Sequence, residues 1–398
     1  MDKIIKNFLL KGVQIMKLVF CIDELKNSGG MERILCNRIN YLIEEFKYDV
    51  YVITTDNNNN KNKNKDFFFE LNDKVKIIDL GINYHNYTRY NFKVIKKIEF
   101  IIKRKLHLKK LNKIINKIKP DILTSMGDRS RSINCKIHYN CKKILENHFS
   151  KENYTANEGN SFLCRLKRFI NGELETNELL KKYDKFIVLT EKDKIDWNIQ
   201  GNKIEVVENM LSFESKKISN LENKKVISVG RLMWQKGYDL LIDAWSIVNR
   251  KYPDWILEVY GEGNQKNFLQ EKIDKLELGK VLKLKGSTNK IEEKLLESAI
   301  YVMSSRSEAF GLVLIEAEHC GLPLVSFDLC GPSSIIKDGK NGFLCESENI
   351  NKLAEKIMIL IENEKLRKNM GKKARNDSYK YSKKNIMKRW KKIYEELL

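Results

Sequence analysis

Short apolar runs alternate with stretches whose apolar residues recur every three or four positions, and this alternation occurs in two successive series along the 398 residues. In the first series KLVFCID (17–23) is an apolar run and ELKNSGG a glycine-ended turn. Met31, Ile34, Leu35, Ile39, Leu42, Ile43 and Phe46 then fall on one stripe before a second run, DVYVITTD. Unbroken or alternating apolar runs predict strands, and the 3.6-residue period predicts a helix. Strand, helix, strand in that order is a βαβ unit, because parallel pairing needs a crossover. VKIIDLGI, DILTSMGD, KKILENH, KFIVLT and KIEVVENM continue the series as far as Met210. The polar, aperiodic SFESKKISNLENK then predicts a linker over 211–224. A second series follows, with VISVGRL, WILEVYGEG, VLKLKG, AIYVMSS, PLVSFD and GFLC as strands. The expected class is α/β, with two doubly wound parallel-sheet domains facing a ligand-binding cleft. The first domain is expected over 1–210, with 1–15 a leader extension before a start near Met16. The second is expected over 225–375 and a C-terminal helix over 376–398.

Charge adds a partner class. The formal net charge is +21, and an excess of this sign attracts anionic ligands, lipid surfaces or nucleic acid without bearing on the fold. Residues 89–119 hold 12 Lys and Arg against one acid, Glu99, with Val94, Ile95, Ile98, Ile101, Ile102, Leu106, Leu111, Ile114, Ile115 and Ile118 at helical spacing. Two readings stay open: a basic amphipathic helix in peripheral contact with an anionic membrane, or a core-facing helix with a solvated lysine face. A nucleic-acid partner is not expected, since no binding motif or aromatic stacking platform occurs. The NNNNKNKNK tract (57–65) predicts a solvated loop. Eight scattered cysteines without metal-ligand spacing point to reduced, mostly buried thiols in a cytoplasmic protein. No run of about 18 apolar residues predicts a membrane-spanning helix.

The chemistry concentrates in SRSEAFGLVLIEAEHCGLP (305–323). Gly311 to Cys320 predicts a short helix, closed by Gly321 with Pro323 beyond. Such a helix start after a strand offers free N–H groups and a partial positive charge, which suits a diphosphate. Glu308 precedes the helix and Glu316 lies within it, where carboxylates can accept hydroxyl protons. An ordinary pair of helix glutamates fits the same spacing. Arg231 and Lys236 follow the strand VISVG, placed to balance a leaving diphosphate or to serve as solvated surface charges.

EAFGLVLIEA followed by CGLP resembles the E-x7-E signature of family 4 glycosyltransferases, a retaining group with the GT-B fold of two Rossmann-like domains. The resemblance extends through VISVGRLMWQKGYDLLIDAW, LEVYGEG and GPSSIIKDGKNGFL, and SGGMER (28–33) sits where the family has its N-terminal glycine loop. Between 57 and 210 it is loose. The resemblance implies that Arg231 and Lys236 meet the donor diphosphate, Glu308 the sugar hydroxyls and Glu316 the ribose. It places the backbone amides of Phe310, Gly311 and Leu312 on the diphosphate, with Gly29 and Gly30 approaching the same phosphates. The family's first-domain histidine falls on His148, with His138 as competitor, while His319 reads as structural. No cofactor or metal is expected, the cations and helix start substituting for one. The resemblance implies a nucleotide-sugar donor, expected to be a UDP-sugar, and an acceptor that is a glycan or a lipid-linked chain, as in bacterial surface-polysaccharide and lipid-linked-oligosaccharide synthesis. A nucleotide-sugar epimerase of the same fold and a non-catalytic binder of anionic surfaces are the alternatives.

Overall fold

The apolar runs become strands whose residues are largely buried, as parallel sheets covered on both faces require. In the computed structural model, residues 15–26, 29–56, 67–84, 93–126, 128–149, 178–198 and 203–398 are described, without the side chains of 93–97, 128 and 129. The leader before residue 15 and the 57–65 tract lie outside them.

The first sheet contains β1 (Lys17–Cys21), β2 (Asp49–Thr54), β3 (Lys76–Asp79), β4 (Ile122–Met126), β5 (Lys142–Glu146), β6 (Lys185–Val188) and β7 (Ile204–Val206). Their spatial order is β3-β2-β1-β4-β5-β6-β7, and every pairing is parallel. Its helices include α1 (Gly30–Glu44), α2 (Lys93–Ile118), α3 (Asp128–Asn134) and α4 (Glu191–Trp197). The second sheet runs β10-β9-β8-β11-β12-β13, also parallel. Its strands are β8 (Lys225–Val229), β9 (Ile256–Tyr260), β10 (Leu282–Leu284), β11 (Ile300–Met303), β12 (Leu324–Phe327) and β13 (Gly342–Cys345). With it come α5 (Tyr238–Lys251), α6 (Lys266–Lys275), α7 (Ile291–Leu296), α8 (Leu312–His319), α9 (Cys330–Ile335), α10 (Ile350–Glu362), α11 (Glu364–Ser378) and α12 (Lys383–Leu397). Each sheet reverses its strand order once, at β1/β4 and at β8/β11. Ligands of such sheets bind outside the carboxyl ends of strands at these reversals.

The helix expected at the C-terminus belongs to the first domain's core. Ile386, Met387, Trp390, Ile393 and Tyr394 of α12 are buried in one cluster with Leu18, Phe20, Ile34 and Leu42. The chain therefore passes between domains twice, at residues joined by the Leu211 amide bonding the Tyr381 carbonyl at 2.9 Å. Leu312 packs against the buried clusters of both domains.

The basic helix satisfies neither sequence reading over its whole length. His107, Leu111, Ile115 and Ile118 of α2 are buried, whereas Ile98, Ile101, Ile102 and Leu106 are exposed. Its second half is a core-facing helix and its first half carries an uncovered apolar stripe beside exposed Lys105 and Lys109. Among the described residues no helix is long and apolar enough to cross a membrane. The seven described cysteines are unpaired, five of them buried.

Candidate active site

Two loops of the second domain are clipped together at the carboxyl ends of β8 and β11. After β8 the chain passes Arg231 and makes one 3-10 turn, Trp234–Lys236, closed by Gly237 at φ +61°. A Cβ at Gly237 would stand 2.0 Å from the Ser304 carbonyl oxygen, so only glycine lets this turn lie against the end of β11. Arg306, beyond β11, forks onto Asp239 with Nη1–Oδ1 2.8 Å and Nη2–Oδ2 2.6 Å. Its guanidinium also donates to the Trp234 carbonyl at 2.9 Å and lies 4.8 Å over that ring. Burial would push the Asp239 carboxyl up, but Arg306 outweighs it and holds it below its ordinary range. This clip brings Lys236 Nζ within 2.5 Å of Glu308 Oε2. Arg231 is exposed and makes no ion pair or side-chain hydrogen bond among the described residues.

The Glu308 turn feeds α8 through Gly311, whose φ of +97° a side chain would strain. Leu314 N bonds Gly311 O at 2.9 Å. The amides ahead of it have no carbonyl one turn back, as at any helix start. Phe310 is buried and Leu312 half-buried. The first domain meets them with Gly29, the cap of α1, and with Gly30, where a Cβ would find only Leu312 Cδ2, at 3.9 Å. The starts of α1 and α8 thus face each other.

Glu316 is fully buried inside α8, and its partner comes from the other domain. Arg33 Nη1 donates to Glu316 Oε1 at 2.9 Å and to Ser212 Oγ in the linker at 3.4 Å. The Arg33 guanidinium also lies 5.2 Å over the Phe69 ring. Glu316 Oε2 is buried with no hydrogen-bond partner among the described residues. Burial pushes the Glu316 carboxyl up, and Arg33 opposes the rise without cancelling it. The pair closes the two domains over the carboxylate.

His148 follows β5 on the same side of the first sheet. Its Nε2 lies 3.2 Å from Glu146 Oε2, and Arg38 Nη2 approaches Glu146 at 2.8 and 3.0 Å. Arg38 is completely buried, 5.0 Å over the Phe20 ring and 4.2 Å over Trp390 of α12. Burial would raise the Glu146 carboxyl, yet Arg38 and His148 hold it low. His138 is exposed and precedes β5, at the opposite end of the strand from the cleft. His319 is tied to Ser378 Oγ through Nδ1 at 2.9 Å and pushed down to about 4 by burial, as befits a structural residue.

Comparison with known proteins gives the chain a family. Residues 212–377 match the family model described as glycosyl transferases group 1. An uncharacterized glycosyltransferase of Haemophilus influenzae is 30% identical over 95% of this chain and 99% of its own length. The chain belongs to the group 1 glycosyltransferases. The amylovoran biosynthesis glycosyltransferase AmsD of Erwinia amylovora is 27% identical, covering 95% of this chain and 99% of its own. Among solved structures, a mutant of S. aureus TarM in complex with Fondaparinux, alpha-GlcNAc-glycerol and UDP superposes with a TM-score of 0.76 at 21% identity. That match covers 96% of this chain and 100% of the other. The family 4 resemblance and the GT-B fold read from the sequence are thus both found.

In this glycosyltransferase Glu308, Lys236 and the α8 start share one edge of the second sheet, while Gly29, Gly30 and His148 border the first. Glu316 is not open to the cleft as the sequence implied, because Arg33 covers it. Arg33, Arg38 and Glu146 were not singled out by the sequence. The signal present there was a charge on a buried stripe: Arg38 lies four residues from both Ile34 and Leu42. Among the described residues, Asp193, Asp196 and Cys330 have ligand atoms within 4.8 Å of one another, where α4 meets α9. Thr190 there caps α4 by accepting from the Asp193 amide at 3.0 Å, a structural role.

Proposed function

We propose that this glycosyltransferase moves a hexosyl or N-acetylhexosaminyl group from a UDP-sugar to a glycan or lipid-linked acceptor of a surface polysaccharide, with retention at the anomeric carbon. The observation that carries this reading is the Lys236–Glu308 pair at 2.5 Å, held beside the start of α8. A donor placed there has its diphosphate against Lys236, Arg231 and the amides of Phe310, Gly311 and Leu312, and its sugar against Glu308. Gly29 and Gly30 admit the phosphates from the other side, and Glu316 takes the ribose once Arg33 yields it access. The acceptor hydroxyl attacks from the face the diphosphate leaves, so the bond from the anomeric carbon to phosphate oxygen breaks as the new one forms. The acceptor's proton passes to the departing phosphate oxygen. The two cations and the helix start stabilise the charge that develops there, which makes a divalent ion unnecessary in this reading. UDP is favoured because TarM binds it in the complex named above, and polysaccharide synthesis by the name of AmsD.

The test is a thermal-shift panel with UDP, GDP, ADP and their sugars, since a ligand selective for the native state raises the midpoint. A shift with UDP and one UDP-sugar, unchanged by EDTA, is expected. A larger shift with GDP or ADP would replace the donor nucleotide, and no shift from a folded sample would leave the anionic-surface binder in its place.

The same reading places the enzyme in the cytoplasm, peripheral at the inner face of the membrane. The uncovered Ile98, Ile101, Ile102 and Leu106 of α2, flanked by lysines, match a surface that takes apolar side chains between anionic headgroups. Substituting Ile101, Ile102 and Leu106 together by Gln is expected to weaken sedimentation with phosphatidylglycerol-containing vesicles tenfold or more. Each buried aliphatic side chain contributes roughly 1.5–3 kcal/mol. Wild-type protein that stays in the supernatant would remove the membrane from the proposal.

A further inference from the structure

His148 carries a support that the transfer reading does not use. A neutral imidazole has one ring nitrogen that donates and one that accepts, and the group bonded to one fixes the part played by the other. Here the group bonded to Nε2 is Glu146, at 3.2 Å. Glu146 is buried, and Arg38 Nη2 approaches both of its oxygens. A carboxylate kept ionised by a buried guanidinium can only accept, so Nε2 must carry the proton. Nδ1 then carries the lone pair, and among the described residues nothing bonds it.

The support is itself held from two elements distant in sequence. Arg38 sits between the Phe20 ring of β1 and the Trp390 ring of α12, at 5.0 and 4.2 Å. Arg38, Glu146, His148 and Trp390 line one cavity with Glu208 and Asn209, beyond β7. Glu208 is engaged by Arg389 of α12, which leaves Glu146 as the carboxylate bonded to the ring.

We propose that Glu146 and Arg38 are positioning residues that fix His148 as the Nε2–H tautomer, so that Nδ1 accepts a hydroxyl proton from the transferred sugar in a hydrogen bond. The inference rests on the transfer reading above and on the family resemblance, which puts its first-domain histidine, here His148, near the transferred sugar. It makes that residue a recognition element, because the site selects a sugar bearing a hydroxyl at this place, and an analogue lacking it leaves Nδ1 unpaired. The contact is a hydrogen bond, and no proton is transferred. Trp390 extends the chain of support, so that the last helix of the chain braces a sugar contact at the edge of the cleft.

The experiment is nitrogen-15 NMR of histidine-labelled full-length enzyme, whose five histidines are few enough to assign by an H148Q variant. The expected wild-type spectrum shows His148 protonated at Nε2. In Glu146→Gln, a mixed or inverted tautomer is expected, with release of UDP from UDP-glucose or UDP-N-acetylglucosamine slowed at least tenfold. UDP affinity should stay within twofold, which separates loss of sugar positioning from loss of the nucleotide site. Wild-type His148 protonated at Nδ1 would overturn the inference before any variant is made. So would a Glu146→Gln enzyme with the same tautomer and the same rate. If H148Q releases UDP as fast as wild type, His148 is no sugar contact and the recognition role falls, while the spectrum separately decides the tautomer.

Discussion

Glu308→Gln is expected to lower the rate of sugar transfer by about a hundredfold to a thousandfold, the range found when one preorganised polar group is removed from a reacting centre. The same variant should bind UDP as well as wild type or better. The reason is the 2.5 Å contact between Lys236 and Glu308: in the free enzyme the carboxylate engages the ammonium that the diphosphate would otherwise meet alone. Gln keeps the size of Glu308 and removes its charge, releasing Lys236 toward phosphate while weakening the hold on sugar hydroxyls. Initial-rate measurements with titration of UDP by calorimetry separate the two effects. A fall in kcat with unchanged UDP affinity places Glu308 on the sugar. A rate within threefold of wild type would reduce Glu308 to half of a structural ion pair, and the donor pocket would have to be sought elsewhere in the cleft.

Trp390→Ala should be among the most destabilising single changes in the first domain. Trp390 is 4% exposed, stacks on Tyr394 at 5.5 Å and covers the buried Arg38 guanidinium. Truncating a buried large aromatic costs about 3–5 kcal/mol, and the lost face for a desolvated cation adds to it. For a domain of this size that is a fall of roughly 6–20 °C in melting temperature. Differential scanning calorimetry of the full chain is the measurement. The expected result is a lowered transition for the first domain beside a little-changed one for the second. Equal lowering of all heat absorption would mean the two domains unfold as one unit, and no change would mean that α12 does not complete the first core.

The fold was legible because parallel α/β domains repeat a local pattern, and both series of runs lie where the strands lie. Glu308 and the start of α8 were placed together by one contiguous motif, whereas Lys236, 72 residues from Glu308, came from a second motif that the family resemblance linked to the first. The pairs Arg33–Glu316 and Arg38–Glu146 were not, since they join positions 283 and 108 residues apart. Nothing local in either sequence segment records such a partner. The stripe of Ile386, Met387, Trp390, Ile393 and Tyr394 gave α12 an apolar face, but not which domain would cover it, because periodicity specifies a face and not its partner. In α2 the helical spacing was correct as a stripe and wrong as a single environment. The chain packs its second half and leaves the first uncovered, and hydrophobic periodicity cannot distinguish the two.

The placement of α12 also bears on how the protein is made. Residues 383–397 are translated after everything else described, yet the core they close begins at β1. Domains of growing chains usually fold in the order they emerge from the ribosome, and here the first domain to emerge is the last to be completed. The second domain has its own strands and helices complete by residue 378, while Phe20 and Arg38 still await the ring that covers them. The first domain is therefore the part whose apolar core is covered last, once synthesis passes Trp390.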